Sequence, residues 1–299
     1  FIGSHVIDLL CERGHDVIAI DLAPVPDYWS PPDGARFLQL DVAESETERF
    51  VAQSGADVIF HLAAQASVPL SIERPVRDAQ TSVIGLLRLL EGARASGSVR
   101  RIVFSSTAAV YGDPVVAHPL PETTATSPIS PYGATKVCAE SLLRVYAHLH
   151  GIGYAILRYA NVYGPRQGLT GEGGVVAIFC QRLLSGQPLH LFGDGLHTRD
   201  YVYVGDVARA NLLAALTPGD LCAHISTGVE TSNAELIEHL FAAAGRSVAV
   251  LREPERQGDI RRSVLSPEYA AGAMGWRPEV SLQDGLERTL EFMTHHVAG

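Results

Sequence analysis

An apolar run that ends in three hydroxyl residues constrains the fold of this chain more than any other feature. The run Arg101–Phe104 contains Ile and Val and leads directly into Ser105, Ser106 and Thr107. Such a pattern predicts a buried parallel strand whose carboxyl end carries polar groups. Because the ligands of open α/β sheets bind outside the carboxyl ends of the strands, we expect a ligand site at these hydroxyl residues.

A helix start follows farther along the chain and carries a tyrosine and a lysine. Ser130 suits a helix N-cap, and Pro131 suits the first helical position, so Tyr132 falls in the first turn with Lys136 one turn later on the same face. A nearby ammonium and a helix N-terminus both stabilise a phenolate, which predicts a lowered pKa for Tyr132 and a general base near neutral pH. The alternative is an exposed helix start with an incidental Tyr/Lys pair.

Together, these two stretches resemble the extended short-chain dehydrogenase/reductase family, in its nucleotide-sugar epimerase/dehydratase branch. The segment from Thr107 to Gly112 and its spacing to Tyr132 are most similar to the UDP-glucose (UDP-galactose) 4-epimerases, and the resemblance covers essentially the whole chain. It implies that Thr107, Tyr132 and Lys136 act together in catalysis. It also implies an α/β fold, with a Rossmann-type doubly wound parallel sheet and a smaller α/β substrate-binding domain.

Length and composition agree with an ordinary globular protein of one or two domains. The chain has 299 residues, of which 46% are hydrophobic and 19% charged, so it can bury a sizeable core. Its formal net charge of -10 argues against a nucleic acid or an anionic membrane as a partner. A local arginine cluster can still bind an anionic substrate.

The cysteines and the absence of targeting signals bear on location. The chain has no Cys-x-x-Cys motif, no apolar run of transmembrane length and no recognisable signal peptide. We therefore expect a cytoplasmic protein with reduced thiols and no metal site. The four scattered cysteines are Cys11, Cys138, Cys180 and Cys222.

The first residues are typical of the second part of a βαβ unit. Ile2 and Gly3 lead into a helical pattern that ends near Gly14, and a strand follows at Asp16–Ile20. Gly3 is expected to be the last glycine of a phosphate-binding fingerprint, although a glycine that only eases packing is equally consistent. The first strand and the earlier glycines of the fingerprint are absent, so we expect this sequence to be truncated at its N-terminus.

Two acidic residues indicate the adenosine end of a cofactor site. Asp21 ends the second strand of the unit, at the spacing of an acid that binds both ribose hydroxyls and repels a 2′-phosphate, which favours NAD over NADP. The alternative is a turn or cap aspartate. The segment Leu38–Val42 is predicted to be the next strand, and Asp41 in it resembles the family position that meets the adenine amino group.

Further residues join the expected NAD site through the resemblance. The predicted strand Asp57–Ala64 ends in small residues that let the backbone come close to the cofactor. The long helical pattern 76–95 carries Ser82 where the family usually has Asn, which removes one expected contact. The cofactor-binding residues implied by the resemblance are Gly3, Ile2, Asp21, Asp41, Val42, Leu62, Ala63, Ala64, Ser105, Tyr132, Lys136 and Tyr159.

The second half of the chain departs from simple alternation of strands and helices. After the predicted strand Tyr154–Tyr159, a glycine-rich loop at 168–174 precedes a helical stretch, Val175–Leu184. In the family this region begins the substrate domain. We expect a cofactor domain at 1–161 with about 202–227, and a nucleotide-sugar domain at about 162–201 with 228–299.

Aromatic and basic residues in this half match the UDP-binding pattern of the family. Phe192 is expected to stack on the uracil ring, and Arg199 and Arg256 to bind the diphosphate. Without that context, the two arginines would be taken for partners in surface ion pairs. The substrate-binding residues implied by the resemblance are Ser106, Thr107, Asn161, Val175, Val176, Phe192, Arg199, Arg256, Asp259 and Ser263.

The resemblance implies epimerisation at carbon 4 of a UDP-hexose through a 4-keto intermediate. Tyr132 would remove the proton of the 4-hydroxyl, Thr107 would bind the 4-oxygen, and NAD would take and return the hydride. A 4,6-dehydratase needs an acid/base pair directly after the threonine, and Ala108 and Ala109 stand there instead. An NAD-binding regulator without activity is the alternative of another class, but such proteins typically lack the Tyr/Lys pair.

Two positions bear on which sugar the enzyme would accept. UDP-glucuronate epimerases resemble the chain up to Gln167 but carry Arg where Gly168 stands, so a sugar carboxylate would lack its partner. Ser263 stands at the position where strict glucose/galactose epimerases have a large Tyr, and this smaller residue leaves room for an N-acetyl group on the sugar.

The resemblance also implies a homodimer. Its interface is expected to be formed by the helices at 76–95 and 131–150, the alternative being that these helices pack within one chain.

Overall fold

A computed structural model describes residues 1–116, 119–168, 173–255 and 260–297 of the chain. The helices are α1 (Ile2–Glu12), α2 (Ser45–Gln53), α3 (Val68–Glu73), α4 (Pro75–Ala79), α5 (Gly85–Ser96), α6 (Pro131–His150), α7 (Val175–Leu184), α8 (Val204–Leu216), α9 (Asn233–Ala244), α10 (Glu268–Met274) and α11 (Leu282–Val297). The strands are β1 (Val17–Asp21), β2 (Ala35–Gln39), β3 (Val58–His61), β4 (Arg101–Thr107), β5 (Gly153–Tyr159), β6 (Asn161–Tyr163), β7 (Leu189–Phe192), β8 (Thr198–Arg199), β9 (Tyr201–Tyr203), β10 (Leu221–Ile225), β11 (Thr231–Ser232), β12 (Val250–Glu253) and β13 (Arg262–Ser263).

Parallel strands covered by helices form the larger part of the fold and confirm the α/β class. Four of them lie in the order β10-β5-β4-β3, with every neighbouring pair parallel. β1 and β2 form a separate parallel pair. Right-handed crossovers through helices are the usual way to connect parallel strands, which explains why strands and helices alternate along this half of the chain.

The central strand β4 is buried on both faces, as its continuous apolar sequence predicts. Ile102 and Phe104 pack with α5 and α6, whereas Val103 packs on the opposite face with α8. All three are at most 1% exposed. Because side chains alternate along a strand, Ser106 lies on the face of α6. This alternation places the hydroxyl groups of the strand end on both sides of the sheet.

The second half of the chain builds smaller sheets around a core of its own. β7 pairs with β12, and β8 pairs with both β11 and β13. Side chains of α7, α9 and α11 form one apolar cluster there. α10 lies in the range expected for the substrate domain, yet its Ala270 and Met274 pack with the cluster of the parallel sheet. The proposed domain bounds stay a prediction.

Several elements differ from their predicted bounds. The strand expected at Leu38–Val42 is wrong: β2 covers Ala35–Gln39, and Asp41 lies in the turn before α2. The helical pattern 76–95 is not one regular helix, because Gln80–Ile84 is π-helical between α4 and α5. A π-helical turn inserts an extra residue without ending the helix, so the apolar pattern continues across it.

No helix in the described ranges is both long and apolar enough to cross a membrane.

Candidate active site

The start of α6 has the predicted capping and lies directly against the end of β4. The Ser130 hydroxyl accepts a hydrogen bond from the backbone N–H of Gly133 at 3.2 Å, and Pro131 takes the first helical position. A Cβ on Gly133 would lie only 2.5 Å from the carbonyl oxygen of Ala109. Glycine therefore permits the close approach that brings Tyr132 to the Thr107 side of the sheet.

Lys136 is buried and fixed by the backbone of β4. It is 2% exposed, and its Nζ donates to the carbonyl oxygen of Ser105 at 2.8 Å. The ammonium lies 4.8 Å from the centroid of the Phe104 ring and 5.9 Å from that of the Tyr132 ring. Burial lowers the pKa of Lys136 to about 8, against the charges of Asp78 and Glu140, which raise it.

The pKa expected for Tyr132 is wrong in direction. Burial raises it to about 12, while interaction with Thr107 lowers it and the charge of Asp78 raises it further. The ammonium and the helix N-terminus both favour the phenolate, but burial of the phenol acts in the opposite direction. In the structure the Lys136 ammonium bonds to a backbone carbonyl, and desolvation outweighs the remaining influences.

The other two hydroxyl groups of the strand end bond within the protein. Ser105 donates a hydrogen bond to the Tyr159 hydroxyl at 3.1 Å. The same hydroxyl is also hydrogen-bonded to the side chain of Asn211. Ser106 donates to Glu140 Oε1 at 2.6 Å on the opposite face of the sheet. The cofactor contacts of Ser105 and Tyr159, and the substrate contact of Ser106, stay predictions.

One cavity joins the expected cofactor residues to the catalytic residues. It has a volume of about 2220 Å³ and also extends between β1 and β3. Predicted site residues that line it are Ile2, Gly3, Asp21, Asp41, Val42, Leu62, Ala63, Ala64, Ser106, Thr107, Tyr132 and Tyr159. A dinucleotide is long and needs such a continuous space along the carboxyl ends of the strands. The residues expected to bind NAD and the catalytic residues therefore border one continuous space.

The individual cofactor residues differ in how strongly the structure supports them. Asp21 is exposed at the end of β1, with one carboxylate oxygen accepting from the N–H of Ala23 at 2.9 Å. Asp41 accepts from the N–H of Ala43 in the same manner. A Cβ on Gly3 would meet no atom within 4 Å, so packing in this structure does not require glycine there.

The expected substrate residues lie mainly in the second half of the fold, beyond the lining of the cavity. Arg199 and Ser263 are register partners on the neighbouring strands β8 and β13, and Phe192 ends β7. Val175 and Val176 begin α7 and pack in or against the apolar cluster there, so only their backbone is suited to a polar ligand. Asn161 is exposed at the start of β6.

Arg256 and Asp259, also expected to bind substrate, lie outside the described residues. Their assignment stays a prediction.

Two buried carboxylates near Lys136, those of Glu140 and Asp78, are not predicted from the sequence. Glu140, one turn after Lys136, accepts hydrogen bonds from Arg158 Nε at 2.9 Å and Nη2 at 2.6 Å. Asp78 is buried on α4 and accepts a hydrogen bond from Thr135, the residue before Lys136. The spacing of Glu140 to Lys136 was a usable signal, because residues four apart share a helix face. Nothing in the sequence alone relates Asp78 to α6.

Comparison with known proteins agrees with this geometry. Residues 1–223 match the model of the NAD dependent epimerase/dehydratase family. A UDP-glucose 4-epimerase of Mycolicibacterium smegmatis is 40% identical over 299 residues, which cover 98% of this chain and 95% of that protein. The crystal structure of UDP-glucose 4-epimerase from Thermotoga maritima, determined with UDP-glucose, matches with a TM-score of 0.95 and 43% identity over 99% of this chain and 96% of that one. The enzyme of the same name from Thermus thermophilus, in complex with NAD, matches with a TM-score of 0.91 and 40% identity over the same shares. The chain therefore belongs to the NAD-dependent epimerase/dehydratase family.

Proposed function

We propose that the protein is an NAD-dependent UDP-sugar 4-epimerase that interconverts UDP-glucose and UDP-galactose. The observation that carries the proposal is the single cavity that Asp21, Thr107 and Tyr132 line together. The three relatives named above, at 40 to 43% identity, are UDP-glucose 4-epimerases, which supports the same reaction here.

Thr107, Tyr132 and Lys136 are the residues that would handle the proton of the sugar 4-hydroxyl. Tyr132 accepts this proton when it is ionised, and the Thr107 hydroxyl bonds the same sugar oxygen. Lys136 supplies a fixed positive charge beside the phenolate, since its ammonium is tied to the Ser105 carbonyl. Because the pKa of Tyr132 is about 12 without ligand, a positive charge brought in by the oxidised cofactor would favour its ionisation.

The N-terminus of α1, with Ile2 and Gly3, would hold the pyrophosphate of NAD, and Asp21 the adenosine ribose. Asp41 would meet the adenine, and Leu62, Ala63 and Ala64 would let the backbone approach the cofactor. When bound, NAD supplies the reversible oxidation of the sugar carbon.

Phe192, Arg199 and Ser263 would bind the uridine diphosphate and the sugar in the second half of the fold. The register pairing of Arg199 with Ser263 supports a shared role, because neighbouring residues on parallel strands present their side chains to the same face. The alanines at 108 and 109 oppose a dehydratase, since they cannot transfer protons. Gly168 opposes UDP-glucuronate as the main substrate for lack of a cation at that position.

The test replaces Tyr132 with Phe in the full-length enzyme and follows each UDP-sugar by NMR. We expect epimerase turnover to fall by at least ~100-fold, the scale of a general acid–base contribution. Tyr146→Phe is the matched control, because Tyr146 lies on the same helix and its hydroxyl donates to Glu91 away from the site. Normal turnover of folded Tyr132→Phe would refute the role of Tyr132, and a wild type inactive on UDP-sugars would refute the proposed function.

We also propose that the protein is a homodimer assembled through the helices 76–95 and 131–150. Apolar side chains on and beside these helices are exposed: Ile72 by 63%, Val76 by 70%, Val145 by 48% and Leu149 by 63%. Exposed apolar side chains on these helices favour a protein interface. Light scattering should give twice the monomer mass for the wild type and the monomer mass for Val76→Glu/Leu149→Glu. Leu216→Glu, at an equally exposed position on α8, should stay dimeric, and a monomeric wild type would contradict the proposal.

A cytoplasmic location stays a prediction.

A further inference from the structure

The carboxylate of Asp78 is buried beside the catalytic helix but has only uncharged hydrogen-bond partners. Asp78 lies on α4 and is 0% exposed. Its Oδ2 accepts a hydrogen bond from the Thr135 hydroxyl at 2.6 Å, and its Oδ1 accepts one from the Gln65 amide at 3.2 Å. Within the described ranges, it forms no ion pair at 4.0 Å or less. Because a buried carboxylate without a countercharge is costly, a cation is needed nearby.

Lys136 is the cation that meets this need. Asp78 is the strongest charge acting on the Lys136 ammonium, and Glu140 is the next. Glu140 already has a buried cation of its own, because Arg158 donates two hydrogen bonds to it. The buried charges therefore balance in two ways: Arg158 bonds directly to Glu140, whereas Lys136 compensates the charge of Asp78 without a direct ion pair.

Hydrogen bonds fix the carboxylate of Asp78 relative to the acid/base pair. Its partner Thr135 directly precedes Lys136 on α6, and the Thr135 hydroxyl also lies 3.0 Å from the carbonyl oxygen of Tyr132. Its other partner, Gln65, directly follows the small residues after β3 that line the cavity. Asp78 is therefore held between the expected cofactor segment and the turn that carries Tyr132 and Lys136.

We propose that Asp78 is a positioning residue for the proton transfer: its carboxylate keeps the Lys136 ammonium charged beside Tyr132 and so sets the pH range in which the enzyme works. This inference rests on the proposed function, because it concerns the same acid/base pair. Asp78 acts through Lys136 and Tyr132, and Thr135 and Gln65 hold it in place.

The charged and titratable groups around Lys136 give the direction of the effect. They are Tyr132 and Glu140 on α6, Asp78 on α4, and His61 at the end of β3. The Asp78 charge raises the pKa of both Lys136 and Tyr132. Without it, the phenolate forms at lower pH and the ammonium is also lost at lower pH. Both limbs of the activity profile therefore move to lower pH.

The first test compares the pH profiles of kcat for the wild type and Asp78→Asn, which removes the charge but keeps the shape and an acceptor for Thr135. We expect the profile of Asp78→Asn to move to lower pH by about one unit. Ser71→Ala is the matched neutral control, since Ser71 is also fully buried and its hydroxyl accepts from the N–H of Tyr132. Its profile should keep the wild-type position. An unmoved profile in Asp78→Asn, or equal shifts in both variants, would overturn the proposal.

The second test needs no activity and therefore separates this proposal from the proposed function. Unfolding by denaturant is measured for the wild type, Asp78→Asn, Lys136→Met and the double variant. Lys136→Met leaves the Asp78 charge unbalanced, so we expect the double variant to be more stable than Lys136→Met alone. The double-mutant cycle should show a coupling of about tenfold in the equilibrium constant for unfolding. Additive effects of the two substitutions would overturn the proposal, even where every variant is inactive.

Discussion

Arg166, on the loop after β6, forms an ion pair with Asp8 on α1, with 2.6 Å between Nη1 of Arg166 and Oδ2 of Asp8. The Nε1 of Trp29 donates to the other carboxylate oxygen at 3.0 Å, and the Arg166 guanidinium lies 5.9 Å from the centroid of the Trp29 ring. Arg166 has a φ of 72°, the only positive φ of a non-glycine residue in the described part of the chain. These contacts tie together three segments that border the cavity.

A double-mutant cycle of Asp8→Asn and Arg166→Gln should give a coupling of about 1–2 kcal/mol in the free energy of unfolding. The pair is partly buried, with side-chain exposures of 27% and 19%, so water screens it less than a surface pair. The control is the pair Arg88–Glu48, which has the same 2.6 Å separation but exposures of 40% and 33%. It should couple by less than about 1 kcal/mol. Equal couplings would show that burial does not strengthen the Asp8 pair.

Glu140→Gln should lower the free energy of unfolding by about 3–5 kcal/mol, because it leaves the Arg158 guanidinium buried without a countercharge. Arg158 is 5% exposed and Glu140 1%. Adding Arg158→Met to Glu140→Gln should recover much of the loss, since the unbalanced charge is removed. Chemical denaturation of the single and double variants is the measurement. A double variant less stable than Glu140→Gln would refute this account.

Ser106→Ala removes only one of the hydrogen bonds to Glu140 and should cost about 1–2 kcal/mol. It is the matched control for Glu140→Gln because it changes the same cluster without changing its charge.

The elements that the sequence predicts well are those whose signals are local. The cap at Ser130, the first turn at Pro131, and the strand that ends at Thr107 depend on residue type and spacing within a few positions. The helix Val175–Leu184 has its predicted bounds for the same reason. The catalytic residues follow from such signals combined with the family resemblance.

The features that the sequence did not predict depend on contacts between distant segments. The pKa of Tyr132 is raised by burial among segments that are distant in the sequence, which no local pattern reports. Asp78 meets Thr135 across 57 positions of the chain, and Arg166 meets Asp8 from another loop. The predicted strand Leu38–Val42 extends too far because the alternation of apolar residues continues past Gln39, whereas pairing with β1 ends at Gln39.

His61 should make the protein less stable as the pH falls. It is 3% exposed, its Nε2 has no hydrogen-bond partner in the described part of the chain, and burial together with the charge of Lys136 lowers its pKa to about 3. The unfolded chain binds a proton below pH ~6.5 but the folded one does not, so stability falls as the pH decreases from ~6.5 toward ~3. From pH ~7 to pH ~5 this residue should cost about 2 kcal/mol.

His61→Leu tests this prediction, because it removes the titrating ring and fills the same buried space. The fall in unfolding free energy between these two pH values should be smaller by about 2 kcal/mol in the variant. His239→Leu, at an exposed position on α9, is the control and should leave the fall unchanged. The same pH dependence in His61→Leu and the wild type would exclude His61 as its source.

The choice of sugar is expected to depend on Ser263. Ser263 is half-buried on β13, beside Arg199 on β8, so its side chain lies next to the residue expected to hold the diphosphate. A serine there is small and leaves room for an N-acetyl group at carbon 2 of the sugar. We expect the wild type to interconvert UDP-glucose and UDP-galactose and to accept UDP-N-acetylhexosamines, with little activity on UDP-glucuronate.

Ser263→Tyr should depress the N-acetyl activity selectively, by a clash that leaves the chemistry intact. Ser263→Ala, which keeps the space, should retain both activities. NMR of each UDP-sugar with the full-length enzyme measures these rates. Equal losses of both activities in Ser263→Tyr, or a wild type that prefers UDP-glucuronate, would contradict this role.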